Sequence, residues 1–115
     1  MGGNHSRNKG KAGEREVAQL LRIAGFDARR GFQARAGTDE CDVEGIDDPA
    51  ARGGGYWVEV KRGRRCNLRG AISQAEEDTD GRAPVVIWRD DRAPWMVLIS
   101  LEDWARMAWR ARRDE

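Results

Sequence analysis

The sequence predicts an α/β domain in which a mixed five-stranded sheet is flanked by helices. Residues 56–62 alternate apolar or aromatic side chains with polar ones, which is typical of a strand that buries one face. Residues 83–89 are almost continuously apolar, which indicates a strand buried on both faces. Three further segments carry apolar residues at helical spacing, so the predicted element order is αβββαββα.

Length and composition indicate one soluble domain. The 115 residues lie near the commonest domain size, and 39% apolar residues suffice for a modest core. We expect residues 1–10 to form a flexible basic arm before a single domain over 11–115. The chain has no apolar signal core at its start and no apolar run of about eighteen residues, so we expect a cytoplasmic protein without a membrane span. Cys41 and Cys66 lack the CxxC or CxxH spacing of zinc sites, so reduced thiols are expected.

The first predicted helix runs from about residue 12 to 24 and ends at Gly25. Its buried stripe consists of Val17, Leu20, Leu21 and Ala24. Glu14 lies at the edge of this stripe, as a site residue or as a partner of the helix dipole, whereas Glu16 points away from it.

Two short strands and two loops follow this helix. Residues 26–30 form the first strand, with Phe26 and Ala28 inward, and residues 42–46 form the second. The polar, glycine-containing stretches 31–40 and 47–55 are predicted loops.

The second half of the chain contains the central strand, 56–62. Asn67 caps a helix over about 68–79 that buries Leu68, Ala71, Ile72 and Ala75, and Gln74 can face the sheet. Strands over 83–89 and 95–100 are joined by a tight turn and are therefore antiparallel. Ser100 caps a last helix whose apolar face is formed by Leu101, Trp104, Ala105, Ala108 and Trp109.

The near-neutral net charge of +1 conceals segregated blocks of charge. Basic residues dominate 1–35 and 61–70, whereas acidic residues dominate 36–59. This distribution favours a basic surface around an acidic site, as a polyanion-binding protein with a metal at its centre would need, although ordinary surface charge explains it equally well.

Acidic residues on neighbouring strands predict a divalent-metal site for phosphodiester cleavage. Asp42 and Glu59 are the expected direct ligands of Mg²⁺, together with the backbone carbonyl of Val60. Lys61 lies on the same face of its strand as Glu59, where it can orient or deprotonate a water or stabilise developing negative charge. Glu14 is expected to complete the shell directly or through water, and Gln74 to bind a water or phosphate.

This ordered set resembles the PD-(D/E)XK nuclease superfamily, with Cys41-Asp42 in place of Pro-Asp and Glu59-Val60-Lys61 as the second half of the motif. Within that superfamily the chain is most similar to archaeal-type Holliday-junction resolvases, which also occur in phages. The narrower resemblance covers residues 9–76 and rests on Lys9-Gly10-Lys11-Ala12-Gly13-Glu14-Arg15, Gly25-Phe26, Asp42, Glu59-Val60-Lys61 and Gln74-Ala75-Glu76.

The resemblance implies a restriction-endonuclease-like fold and a homodimer that cuts four-way DNA junctions by paired nicks. It implies Mg²⁺, with Mn²⁺ as a substitute, no small-molecule cofactor, and a site in the cytoplasm of the cell or of a phage host. Carried over by position, the catalytic residues are Glu14, Asp42, Glu59 and Lys61, supported by Gln74. The resolvases have a serine-glycine pair in the loop before the metal aspartate, where this chain has residues 35–38 and only the hydroxyl of Thr38.

Basic residues around the predicted site are the expected contacts to DNA phosphates, which confer affinity without sequence recognition. The expected DNA-binding residues are Lys9, Lys11, Arg29, Arg30, Arg35, Thr38, Arg62, Arg64, Arg65 and Arg69.

Two alternatives to a junction resolvase remain open at this stage. One is a related nuclease acting on duplex, flap or damaged DNA, and the other is a catalytically silent DNA-binding domain. The C-terminal aromatic and methionine residues also admit two interpretations, a dimer interface or a larger monomer core. These residues are Trp95, Met96, Trp104, Met107 and Trp109.

Overall fold

The computed structural model of the chain describes residues 2–31 and 40–114. Its helices are α1 (Gly2–Ile23), α2 (Leu68–Asp78) and α3 (Leu101–Arg113). Its strands are β1 (Arg29–Arg30), β2 (Val43–Glu44), β3 (Tyr56–Arg62), β4 (Ala83–Arg89) and β5 (Met96–Ile99). A 3₁₀ turn, Arg52–Gly54, precedes β3.

The five strands form one mixed sheet in the order β1-β2-β3-β4-β5. All neighbouring strands are antiparallel except β3 and β4, which are parallel because α2 carries the chain back between them. Val58 at the centre of β3 pairs with Val43 on one side and Val85 on the other. The predicted α/β class and the five-stranded mixed sheet are therefore confirmed, with the 3₁₀ turn as an additional element.

Strand β3 packs its two faces against two different helices. Val58 and Val60 belong to the main core together with Val17 of α1. Trp57, on the opposite face, is almost fully buried and packs with Cys41 and with Ala75 of α2. This confirms the predicted alternation and places Glu59 and Lys61 on the α2 side of the sheet.

The N-terminal elements differ from the predicted ones in their bounds. Helix α1 begins at Gly2 rather than near residue 12, so the backbone before residue 12 continues the same helix. Strand β1 starts only at Arg29, and Phe26 is 40% exposed instead of inward. Strand β2 ends before Gly45, whose positive φ of 91° brings its backbone against the Asp27 carbonyl and turns the chain away.

Helix α3 contacts the domain through its polar side. Asp103 is buried and accepts a hydrogen bond of 2.7 Å from Arg52, and Arg110 forms an ion pair with Asp48. Trp104 and Trp109, on the apolar side of the helix, are each more than half exposed. The apolar face predicted for this helix is therefore divided: Trp104 lines an apolar cleft beside Tyr56 and Ile87 of the sheet, whereas Leu101 and Trp109 are exposed.

Within the described part of the chain, no helix has both the length and the apolar character required to cross a membrane.

Candidate active site

Asp42 is held rigidly at the edge of β3, just before β2 begins. Its backbone N–H donates to the Val58 carbonyl (2.9 Å), and its own carbonyl accepts from the Gly31 N–H (2.8 Å). Its side-chain Oδ2 accepts a hydrogen bond of 2.8 Å from the Val60 N–H. A Cβ at Gly31 would lie 1.9 Å from the Cys41 carbonyl oxygen, so only glycine permits this close approach of the two chain segments.

The backbone carbonyl of Val60 points toward the same side of β3 as its N–H, because both groups of a strand residue point toward the same neighbouring strand. The Val60 N–H bonds the Asp42 carboxylate, and the residue pairing between β2 and β3 stops at Val58. The Val60 carbonyl is thus oriented toward the space that Asp42 borders, as the sequence predicted for a metal ligand.

Glu59 and Asp42 form a close pair of carboxyl groups. Burial, together with the hydrogen bond and negative charge of Asp42, raises the pKa of Glu59 to about 8. The indole N–H of Trp57 donates to Glu59 Oε1 at 2.9 Å, and this hydrogen bond lowers the pKa of Glu59. Two carboxyl groups this close share a proton unless a cation binds between them.

Lys61 extends beyond this pair on the same face of β3. Its side chain is exposed, and its positive charge is near enough to lower the pKa of Glu59. A mobile ammonium group beside a carboxylate pair is suited to contact a phosphate or a water bound there.

Glu14 lies beside the carboxyl pair but is bonded elsewhere. Burial and the negative charge of Asp42 raise the pKa of Glu14, which accepts a hydrogen bond of 3.2 Å from Arg30 Nε. Among the side chains that the structure describes, no three His, Cys, Asp or Glu residues are grouped closely enough to hold a metal ion. The carboxyl donors at the site are therefore Asp42 and Glu59. Glu14 lies next to them and forms an ion pair with Arg30.

Gln74 is exposed and donates to Asp78 on the same helix at 3.0 Å, while the adjacent Ala75 is buried against the sheet. The expectation that Gln74 faces the sheet is therefore wrong, because the next residue, Ala75, faces it instead. The structure does not bring the Gln74 amide to the carboxyl pair.

Glu16 was expected to point away from the domain but does not. Its Oε1 accepts hydrogen bonds from Arg89 and from the indole of Trp95, each at 2.9 Å. Both partners lie more than seventy positions later in the chain, so the periodicity of α1 contains no signal for this contact. Glu16 ties α1 to the end of β4 and to the segment that leads into β5.

Arg82 is another residue whose role the sequence does not indicate. Its guanidinium lies 5.3 Å from the centre of the Trp57 ring and donates to Glu44 at 3.0 Å. It therefore covers the aromatic residue whose indole orients Glu59.

The cysteines are free thiols with backbone partners. Cys41 is buried and donates to the Val43 carbonyl at 3.2 Å, and burial raises the pKa of its thiol to about 12. Cys66 donates to the Gly63 carbonyl. At neutral pH the Cys41 thiol is protonated, which is not the form that binds metals.

The predicted DNA-binding residues differ in their partners and in their exposure. Arg30 is engaged by Glu14, and Arg64 lies 3.6 Å from Asp91. The exposed members are Lys11, Arg29, Arg64, Arg65 and Arg69, whereas Arg62 is partly buried. The side chain of Lys9, and residues Arg35 and Thr38, lie outside the part of the structure that is described.

Comparison of the chain with protein-family models, with curated proteins and with solved structures gives no match.

Proposed function

We propose that this protein is a Mg²⁺-dependent DNA endonuclease that resolves four-way junctions by paired nicks. The observation that carries the proposal is the carboxyl pair of Asp42 and Glu59 at the edge of β3, with the Val60 carbonyl beside it and Lys61 on the same face as Glu59. The resemblance of the same residues to the PD-(D/E)XK motif supports it independently.

The donor set fits a hard divalent cation. Mg²⁺ prefers oxygen ligands and is usually held by one or two carboxylates, with its remaining positions filled by water and substrate phosphate. Burial, followed by the hydrogen bond and the negative charge of Asp42, raises the pKa of Glu59, and a cation bound between the two carboxylates would favour their charged forms. When bound, Mg²⁺ polarises the phosphodiester and lowers the pKa of a coordinated water. Mn²⁺ has the same preference for carboxylate oxygens and would substitute.

The protein residues supply position and charge. Asp42 is fixed by the backbone of β3, and Glu59 is fixed by the indole of Trp57, so both oxygens are oriented before substrate binds. Lys61 approaches from the solvent side, where its ammonium group stabilises the extra negative charge of the pentacoordinate phosphorus or orients the attacking water. Glu14 is the third acid of the set, and its release from Arg30 would let it accept a proton from that water.

DNA is the proposed substrate class because Lys11 and Arg30 lie close enough to Glu14 to lower its pKa, and Arg29, Arg65 and Arg69 are further exposed basic residues. Contacts of such residues to phosphates bind DNA without reading its sequence.

A homodimer provides the two active sites that paired nicks require, and α3 carries the surface for it. Leu101 and Trp109 are 76% and 54% exposed, whereas Trp104, which is 53% exposed, lines an apolar cleft beside Tyr56 and Ile87 of its own domain. Asp103 and Arg110 hold the other side of α3 to the domain, so we propose that a second copy covers Leu101 and Trp109. Trp95 is not part of this surface, because it packs against the core and donates to Glu16.

A silent DNA-binding domain is the second candidate. It is favoured by the ion pair between Glu14 and Arg30, which occupies the third acid of the expected set, and by the absence of a three-ligand cluster among the described side chains. A nuclease acting on duplex, flap or damaged DNA would use the same carboxyl pair and differ only in substrate.

The test is cleavage of a labelled immobile four-way junction, beside linear duplex and flap DNA, with Mg²⁺ or EDTA. We expect symmetric, Mg²⁺-dependent nicks in opposing strands for the wild type, and loss of cleavage in Glu59→Gln and Lys61→Met. Glu77→Gln, on the exposed side of α2, is the matched control and should cleave normally. Cleavage of duplex or flap alone would refute the junction specificity, and tight binding without cleavage would favour the silent domain.

A further inference from the structure

A second charged cleft lies at the carboxyl ends of the two parallel strands. It has a volume of about 700 Å³ and is lined by Arg62, Arg64, Arg89, Asp90, Asp91 and Arg92. Arg62 and Arg89 are paired in register at the ends of β3 and β4, and the Gly63 N–H donates to the Arg89 carbonyl at 3.0 Å. The cleft is therefore formed by the ends of β3 and β4 and by the loops that follow these two strands.

The charged side chains that line the cleft favour the binding of an anion. Arginines outnumber aspartates in the cleft by two to one, counted over the six lining residues. The Nε atoms of Arg62 and Arg89 are buried and have no hydrogen-bond partner among the described residues, although Glu16 accepts from Nη1 of Arg89. A buried N–H without an acceptor costs about 1–3 kcal/mol, and a phosphate oxygen is an acceptor of the right charge and geometry for a guanidinium.

The backbone of the two loops provides an independent observation. Arg65, in the loop after β3, and Arg92, in the turn after β4, have φ values of 56° and 60° and are the only non-glycine residues with positive φ in the described chain. The Ala93 N–H donates to the Asp90 carbonyl, so Arg92 is the third residue of a turn, where positive φ strongly favours glycine. The turn therefore places a long basic side chain at the rim of the cleft, at a backbone position that favours glycine.

We infer that this cleft is a phosphate-binding pocket, with Arg62, Arg89 and Arg92 as its cationic ligands. The inference that the cleft binds a phosphate group follows from its lining alone. The inference that this phosphate belongs to a nucleic-acid strand rests on the proposed function. Arg62 follows Glu59 by three residues, which is about 10 Å along the strand. The two side chains leave opposite faces of β3, and the Arg62 Cβ lies on the α1 side beside Gly13, so the cleft is separate from the carboxyl pair.

Arg92→Gly is the decisive variant because it removes the charge and relieves the backbone strain. It should fold at least as stably as the wild type, since glycine adopts φ near 60° without the steric cost that other residues have there. Arg113→Gln, which removes one charge from the exposed end of α3, is the matched control.

Binding is measured in EDTA, where no metal-dependent cleavage occurs, with inorganic pyrophosphate by calorimetry and with a labelled four-way junction by anisotropy. We expect Arg92→Gly to weaken both affinities about fivefold and to reduce the slope of log affinity against log salt for DNA by about one. The control should match the wild type. Loss of pyrophosphate binding alone would support the pocket with a free phosphate compound as its ligand.

Unchanged affinity and salt slope in Arg92→Gly would overturn the pocket, whatever the outcome for cleavage. Conversely, weakened binding in this variant, together with a wild type that cleaves no DNA, would support the pocket and refute the nuclease. The two proposals therefore fail separately.

Discussion

Replacing Glu59 by Gln should remove most of the pH dependence of stability in the metal-free protein. The folded carboxyl has a pKa near 8 and the unfolded one near 4.5. Between these values the folded state retains a proton that the unfolded chain has released, so the free energy of unfolding falls as pH rises through this interval and levels off above it. A glutamine keeps the geometry, because its amide can accept from Trp57 and donate to Asp42.

The expected size of the effect follows from the pKa difference. One pKa unit corresponds to about 1.36 kcal/mol, so the full shift would represent about 5 kcal/mol for a completely buried carboxyl. Glu59 is only partly buried, and solvent screening reduces this to about 2 kcal/mol. Urea unfolding followed by circular dichroism in EDTA, at fixed protein concentration and at pH 5 and pH 8.5, measures it directly.

We expect the wild type to lose about 2 kcal/mol of unfolding free energy between these pH values, and Glu59→Gln to lose much less. At pH 8.5 the variant should be the more stable protein. Glu77→Gln controls for the loss of an exposed carboxyl and should follow the wild type. An equal pH dependence in wild type and Glu59→Gln would show that Asp42 and Glu59 do not form a coupled pair.

Three further changes test how the site and α3 are held. Gly31→Ala should destabilise the fold by about 2 kcal/mol or more and lower metal affinity, because its Cβ would lie 1.9 Å from the Cys41 carbonyl; near-native melting would contradict the close packing. Arg52→Met should cost about 3 kcal/mol in urea unfolding, since it leaves Asp103 buried without its cation, and a cost below about 0.5 kcal/mol would refute that reasoning. Ser100→Ala should lower the unfolding free energy by about 1 kcal/mol through loss of the α3 N-cap, whereas Ser100→Thr, whose hydroxyl can still accept from the Asp103 N–H and donate to the Asp103 carboxylate, should retain it.

The central strand and the capped helices were predictable because their signals are local. The alternation over 56–62 and the apolar run over 83–89 match β3 and β4 at both ends. Asn67 and Ser100 accept the hydrogen bonds expected of helix caps. Position within these elements then placed Glu59 and Lys61 on one face without any knowledge of the fold.

The contacts that were missed join distant parts of the chain. Arg30 holds Glu14, and Glu16 accepts from Arg89 and Trp95, although sequence spacing carries no information on either pairing. Gln74 was misplaced because one residue of helical rotation decides whether a side chain faces the sheet or solvent.

Helix α3 shows a different limit. Its apolar stripe was recognisable, but which side of a helix contacts its own domain depends on charged partners elsewhere in the chain. Here Arg52 and Asp48 bind Asp103 and Arg110, so that Leu101 and Trp109 stay exposed while Trp104 lines an apolar cleft beside the sheet. If a second copy of the chain covered the exposed part of the stripe, apolar residues that the sequence pattern predicts to be buried would be buried in the dimer.

The most direct test of the proposed metal centre is calorimetric titration of Mn²⁺ into the metal-free protein at pH 8.5. We expect one site per chain in the wild type and in Lys61→Met, and at least tenfold weaker binding in Asp42→Asn and in Glu59→Gln. Binding should also weaken as the pH falls below about 8, where Glu59 takes up a proton. Binding of equal strength in all four proteins, or no binding to the wild type, would contradict the assignment of this carboxyl pair as a metal centre.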